Sequence, residues 1–133
     1  MTNADGGTLY RVNAEKTGLS FYISMNDTLK MYQGGKSGVS IQLPDLPLKD
    51  DLGNPNLSAV AAYAANTGKS VNINDVYQAK DFNFSGMRFF DRTHDYHTQS
   101  LLSVPMRDHE GELIGVLQLI NAIDPDTGKT CAF

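Results

Sequence analysis

Cysteine, clustered positive charge and long apolar runs are all scarce in this sequence, and each shortage closes off a class of function. One cysteine, Cys131, stands near the end of 133 residues. A lone thiol forms neither an intramolecular disulfide nor a CxxC metal or redox site, so the chain suits a reducing compartment such as the cytoplasm. Cys131 itself reads either as a reactive thiol or as a frayed terminal residue. The 11 Lys and Arg against 15 Asp and Glu leave a formal net charge of -4, and the basic residues are scattered. Nucleic acid and anionic membranes need a concentrated basic face and are disfavoured as partners. No stretch approaches the ~20 consecutive apolar residues of a membrane span, and Met1 to Gly7 is too polar for a signal peptide. With 41% hydrophobic and 20% charged residues, the expectation is one domain, able to bury a core without disulfides or metals.

Periodicity divides the chain. Leu19, Phe21, Ile23 and Met25 alternate with Ser20, Tyr22 and Ser24, which predicts a half-buried strand with those four apolar residues on one face. A shorter strand over Thr8 to Asn13 precedes it, and the two read as a hairpin. From Asn26 to Leu57, Gly and Pro are too dense for either period, apart from a short strand over Val39 to Leu43. Asn56 to Thr67 is the best helix, with Asn56 or Ser58 as N-cap and Gly68 at its end. Ser70 to Ile73 reads as a strand, and Phe89 to Gln99 as a short helix capped by Asp91. Ser100 to Arg107 and Glu112 to Ile123 flank a turn at Asp108 to Gly111. In the last strand Ile114, Val116 and Ile120 oppose Leu117 and Leu119, which predicts a central strand covered on both faces. The order is that of an α+β domain with an antiparallel sheet.

Few residues point to chemistry. Gly34-Gly35-Lys36-Ser37 resembles the tail of a phosphate-binding loop but lacks the upstream glycine, so it reads as a plain loop. Asp91, His94 and His97 are spaced three apart, which on a helix makes either a metal-binding face or a solvated one; His97 is also a candidate axial haem ligand. No serine lies in a nucleophile elbow, and there is no credible triad. Phe82, Phe84, Phe89, Phe90 and Tyr96, mixed with Asn83, Ser85, Asp91, Thr98 and Ser100, make either a ligand pocket or an aromatic minicore.

Three segments carry a family resemblance: AVAAYAANTGKSVNINDVY (Ala59 to Tyr77), DFNFSGMRFFDRTHDYHTQSLLSVPM (Asp81 to Met106) and GELIGVLQLINA (Gly111 to Ala122). They resemble a GAF domain, of the type found in bacterial signalling proteins with HD-GYP phosphodiesterase or nucleotide cyclase outputs. The resemblance implies a profilin-like or PAS-like six-stranded antiparallel sheet, with helices on one face and a ligand cavity on the other. It implies a non-enzymatic sensory module that binds a small molecule, a cyclic nucleotide among the candidates, and controls an attached output domain. A ligand-free dimerisation module and a haem or metal sensor are the alternatives. Mapped onto this chain, the pocket-forming segments supply Asn74, Asp75, Tyr77, Phe84, Phe89, Phe90, Asp91, His97, Thr98, Ser100 and Leu102 as ligand-binding candidates. No catalytic residue, metal ligand or resident cofactor is assigned.

The departures from the family pattern are specific. Cyclic-nucleotide-binding members often carry Asn-Lys, but Asn121 is followed by Ala122. The pocket cysteine of bilin binders is absent, as are the several cysteines of the GAF-like methionine sulfoxide reductases. Where relatives of this type have Tyr-Arg, this chain has Tyr96-His97, exchanging a permanent charge for one that titrates near neutrality. The family's opening and closing helices, which usually carry the signal and much of the dimer contact, find no counterpart. The whole chain, 1-133, is therefore expected to be a single domain excised from a longer, homodimeric signalling protein.

Overall fold

A computed structural model of the chain describes residues 4–35, 37–41 and 43–133. Its elements run β1 (Ala4–Val12), β2 (Gly18–Asn26), β3 (Met31–Gly34), β4 (Leu46–Pro47), α1 (Val60–Thr67), β5 (Val71–Ile73), α2 (Ser85–His94), β6 (Leu101–Arg107), β7 (Leu113–Ile123) and β8 (Thr130–Cys131). All strands join one sheet in the order β3-β2-β1-β7-β6-β5, each neighbour antiparallel. The number of main strands is the six expected, but β3 lies within Asn26 to Leu57, where the sequence predicts no strand before Val39. The two-residue strands β4 and β8 attach to β2 and β7.

Two bulges set which side chains meet. In the β1–β2 pair the register shifts between Leu9 and Tyr10: Leu9 faces Ile23, but Tyr10 faces Phe21. Tyr22 is the extra residue. Because side chains alternate along a strand, one inserted residue reverses the faces beyond it. The single apolar stripe predicted for β2 is therefore split. Leu19 and Phe21 join Tyr10, Val116 and the alanines of α1 in one core cluster, whereas Ile23 and Met25 turn to the opposite face. A second shift, between Met106 and Arg107, makes Ile114 the unpaired residue in β7. Ile114 is consequently exposed, and Leu113 packs on the first cluster in its place.

Helix α1 begins later than predicted. Ala59 occupies the N-cap with no side-chain bond, because the Asn56 carboxamide oxygen instead accepts from the Ser58 N–H and hydroxyl, a local turn that competes with capping. Gly68 closes the helix at φ 70°, its N–H donating to Ala64 O. Ala61, Ala62, Ala64 and Ala65 are buried, and their small side chains bring α1 close to β6 and β7. Val60 at its start joins a second cluster with Ile73, Val76, Phe84 and Leu101.

Both clusters lie on the same face of the sheet. The covering predicted for both faces of β7 is thus one-sided: Val116 is buried, while Leu117 and Leu119 remain half-buried on a face that neither helix reaches. No strand forms over Val39–Ile41 or Leu43; Gln42 of that predicted strand and Lys36 of the phosphate-loop look-alike lie outside the described residues. The Val39 carbonyl accepts from Gly34 N–H at 2.6 Å, closing a turn beyond β3.

Gly115 sits where a Cβ would collide with the Tyr10 carbonyl of the neighbouring strand. Gly115→Ala is expected to cost about 1–3 kcal/mol by overpacking, read as a lower urea midpoint at unchanged m.

Candidate functional site

Helix α2 starts at Ser85, four residues before the predicted start, so Asp91 lies in its later turns instead of capping it. Asp95 at φ 50° ends the helix, donating its N–H to Asp91 O. Asp91 is only 3% exposed. Its Oδ1 accepts from Thr98 Oγ1 at 2.8 Å, and its Oδ2 from Thr98 N–H at 2.9 Å and Tyr77 Oη at 2.5 Å. A buried carboxylate is tolerable only when its lone pairs are filled in this way. The bond to Asp91 is the main reason the Tyr77 hydroxyl is held above its usual pKa. The His97 ring stacks on Tyr77 at 4.8 Å and 12°, and the Arg88 guanidinium lies 5.6 Å from the Tyr77 ring centre.

A second hub adjoins the first. Asn121, buried and at φ 55°, accepts at Oδ1 from Gln99 N–H (2.6 Å) and Ser100 N–H (3.2 Å). Its amide donates to His97 O (2.9 Å) and Tyr96 Oη (2.8 Å). Tyr96 in turn donates to Asp5 Oδ2 at 2.6 Å. Burial, with the Asp5 bond second, raises the Tyr96 hydroxyl to about 12. Ser100 Oγ donates to the Cys131 carbonyl at 2.6 Å and accepts from Ala122 N–H at 3.1 Å. Cys131 is accordingly paired in β8 and not frayed.

The structure gathers Tyr77, Asp91, His97, Thr98 and Ser100 around these hubs. Asp75 caps the turn that delivers Tyr77, its Oδ1 accepting Tyr77 N–H at 3.0 Å, and Asn74 is exposed beside it. Phe84 is buried in the second cluster. Phe90 leans on His94, with ring centres 4.3 Å apart. Two candidates are not brought in: Phe89 is 64% exposed, and Leu102, opposite Leu119, follows the inward Leu101 and so points to the open face. His94 and His97 do not share a helix face, because α2 ends between them. His94 Nδ1 lies 3.1 Å from Phe90 O, and among the described residues no three His, Cys, Asp or Glu side chains are grouped to hold a metal.

Among the described residues three buried polar atoms lack a well-formed hydrogen bond: Asn26 Nδ2, which lies toward the Tyr96 hydroxyl, Ser103 Oγ and Gln118 Oε1. Gln118 pairs with Thr8 on one side and Ser103 on the other, and Asn26 pairs with Gly6. By strand alternation all three share the helix-covered face with Tyr10, Val116 and Leu101. The sequence carries a faint sign of them, a single polar residue inside each of two apolar runs, LLSVPM and GVLQLI. Two concavities are also present. One, of about 430 Å³, is lined by Leu57, Tyr63, Val71, Asn72, Phe82 and their neighbours; the other, of about 180 Å³, lies along Ile23, Met25 and Tyr32. None of the eleven candidates lines either.

This strand order, with both helices gathered on one face, defines an α+β domain built on a single antiparallel sheet. The GAF domain family profile matches residues 1–133, and the chain belongs to that family. It is 37% identical over 67 residues to dual 3',5'-cyclic-AMP and -GMP phosphodiesterase 11 of Drosophila melanogaster, covering 50% of this chain and 4% of that protein. It is 40% identical over 62 residues to dual 3',5'-cyclic-AMP and -GMP phosphodiesterase 11A of Takifugu rubripes, covering 47% of this chain and 6% of that protein. The chain therefore matches only a small part of these relatives, both cyclic-nucleotide phosphodiesterases of animals. Among solved structures, one described as the structure of the GAF domain superposes with a TM-score of 0.51 at 16% identity, over 90% of this chain and 51% of that one. The free methionine-R-sulfoxide reductase of Neisseria meningitidis in complex with its substrate gives 0.54 at 17% identity, over 98% and 56%. At these identities the structural matches speak for the fold alone.

Asp91→Asn is expected to destabilise the fold by about 1–3 kcal/mol, since an amide cannot accept all three bonds at full strength; chemical denaturation measures this. Tyr10, raised to about 12 by burial, and Tyr96, raised to about 12, predict an alkaline limit. Their contribution is full below the unfolded tyrosine pKa of about 10 and is lost as pH climbs toward 12. The urea midpoint followed from pH 8 to 12 should fall over that window, and less steeply in Tyr96→Phe.

Proposed function

We propose that this domain is the sensory part of a longer signalling protein, binding a small polar molecule on the helix-covered face of its sheet and controlling an attached output domain. The observation that carries the reading is the pair of unpartnered buried atoms Ser103 Oγ and Gln118 Oε1, on paired positions of β6 and β7. Leaving such atoms unpaired costs roughly 1–3 kcal/mol each, and a ligand with complementary donors and acceptors recovers that cost. The Asp91 hub is the means of response. Asn74, Asp75, Tyr77, Phe84, Phe90, Asp91, His97, Thr98 and Ser100 form the wall between α2 and the start of β6, and Ser100 links that wall to Cys131 near the C-terminal end. A ligand that favours one arrangement of this wall shifts the populations of whatever follows.

Membership in the family and the phosphodiesterase relatives support a regulatory, non-catalytic role, with a cyclic nucleotide as one candidate ligand and a phosphodiesterase or cyclase as output. Among the described residues no helix is long and apolar enough to cross a membrane; the single cysteine suits work in a reducing compartment such as the cytoplasm. The second reading, a dimerisation module, draws on the open face, where Ile23, Leu102, Leu117 and Leu119 are half-buried and Met25 is exposed. In the intact protein, helices flanking the domain would cover this face and join two copies.

A thermal-shift screen against cyclic mono- and dinucleotides, purines and small acids tests the sensory reading. A ligand at a hundred times its Kd contributes about 2.7 kcal/mol, several degrees for a domain of this size. Ser103→Ala should leave the unliganded melting temperature level or raised, because it deletes an unpaired hydroxyl, while abolishing the ligand-induced shift. A flat screen overturns the reading, and so does a shift that survives Ser103→Ala together with Gln118→Leu.

A further inference from the structure

The larger concavity lies outside the wall described above. It is lined by Ser70, Val71 and Asn72 of the β5 edge, by Tyr63 of α1, and by Leu57, Lys69, Asp81 and Phe82. β5 ends the strand order and, among the described residues, pairs with β6 alone, while its Asn72 side chain donates to Phe133 O at 3.5 Å; its outer edge therefore carries main-chain groups that the sheet does not use. The opposite wall is held in place: Asn83 N–H donates to Ser58 O at 2.8 Å, and Ser85 N–H to Asn83 Oδ1 at 2.9 Å. Tyr63 and Phe82 meet edge-to-face at 5.2 Å and 81° and give the groove an aromatic lining. Lys69 and Asp81 enter no ion pair among the described residues, leaving one free charge of each sign at the groove.

We propose that this groove docks an extended peptide segment, which adds as a strand to the β5 edge and places an apolar side chain against Tyr63 and Phe82, between an acidic residue at Lys69 and a basic residue at Asp81. Sites for small molecules enclose most of their ligand, whereas this groove of about 430 Å³ is open to solvent on one side. An edge strand beside a hydrophobic groove is the arrangement by which strand addition works: main-chain bonds supply affinity, and alternate side chains supply specificity. The surface is separate from the orphaned polar row beneath the helices, so the proposal stands or falls independently of small-molecule sensing.

The test is a titration of the isotope-labelled domain with a capped pentapeptide of sequence EVFVK, followed by amide NMR shifts and hydrogen exchange. Saturable shifts at Val71, Asn72, Ile73, Tyr63 and Phe82, with slowed exchange of the β5 amides, are expected. Lys69→Glu and Asp81→Lys change exposed side chains and leave the fold intact; each should weaken binding by up to about fivefold, the range of an exposed ion pair. The double reversal should restore affinity for the charge-swapped peptide KVFVE. A backbone N-methylated EVFVK should not bind. Absence of saturable shifts, shifts centred elsewhere, β5 amides left unprotected, or full binding by the N-methylated peptide would each overturn the proposal.

Discussion

The buried carboxylate of Asp91 is the interaction on which the arrangement of this domain turns. A charge withdrawn from water costs several kcal/mol unless it is fully hydrogen-bonded. Here the cost is offset only if Thr98 and Tyr77 both come to α2. Bringing Thr98 in sets where β6 starts, and bringing Tyr77 in folds back the loop after β5, which the Val76 N–H bond to Gln99 O holds at 2.8 Å. One side chain thereby fixes a helix, a loop and a strand end relative to one another. The aromatic groups placed at the same time, His97 on Tyr77 and Phe90 beside His94, follow from that closure.

Asn121 performs the matching task from the sheet side. Its left-handed backbone would be costly for most residues, and asparagine tolerates it. The side chain then accepts from the backbone N–H groups of Gln99 and Ser100, just before β6. Of the Asn-Lys pair that cyclic-nucleotide-binding members often carry, this chain has the asparagine, whose side chain makes four hydrogen bonds, and Ala122 in place of the lysine. Through Ser100 the same junction reaches Cys131, so a disturbance at α2 has a short hydrogen-bonded route to the C-terminal end.

The sheet divides its two faces between different physics. On one, small alanines let α1 lie close over Tyr10, Leu19 and Val116, and among the described residues a few buried polar atoms are left without partners. Native interiors rarely tolerate such atoms without a use for them. On the other face, Leu102, Leu117 and Leu119 are only half-buried.

Much of the architecture was legible from residues alone. Alternation located the long strands, glycine ended α1, and the run from Asn74 to Ser100 contained Tyr77 and Thr98, the two partners of Asp91. Local pattern could not show the two bulges, because a bulge is decided by pairing with another strand; hence the stripe of Leu19, Phe21, Ile23 and Met25 was divided between faces, and Ile114 was turned outward. Nor could spacing reveal that Asp91 serves Thr98 and Tyr77 and not its own helix terminus, or that His94 and His97 part company at Asp95. By itself the sequence determined which segments are extended or helical and which residues are chemically equipped, since those depend on neighbours along the chain. Which side chains share a face, which polar atoms are stranded and which edge stays open were decided only by tertiary structure, because they depend on partners brought together from distant positions.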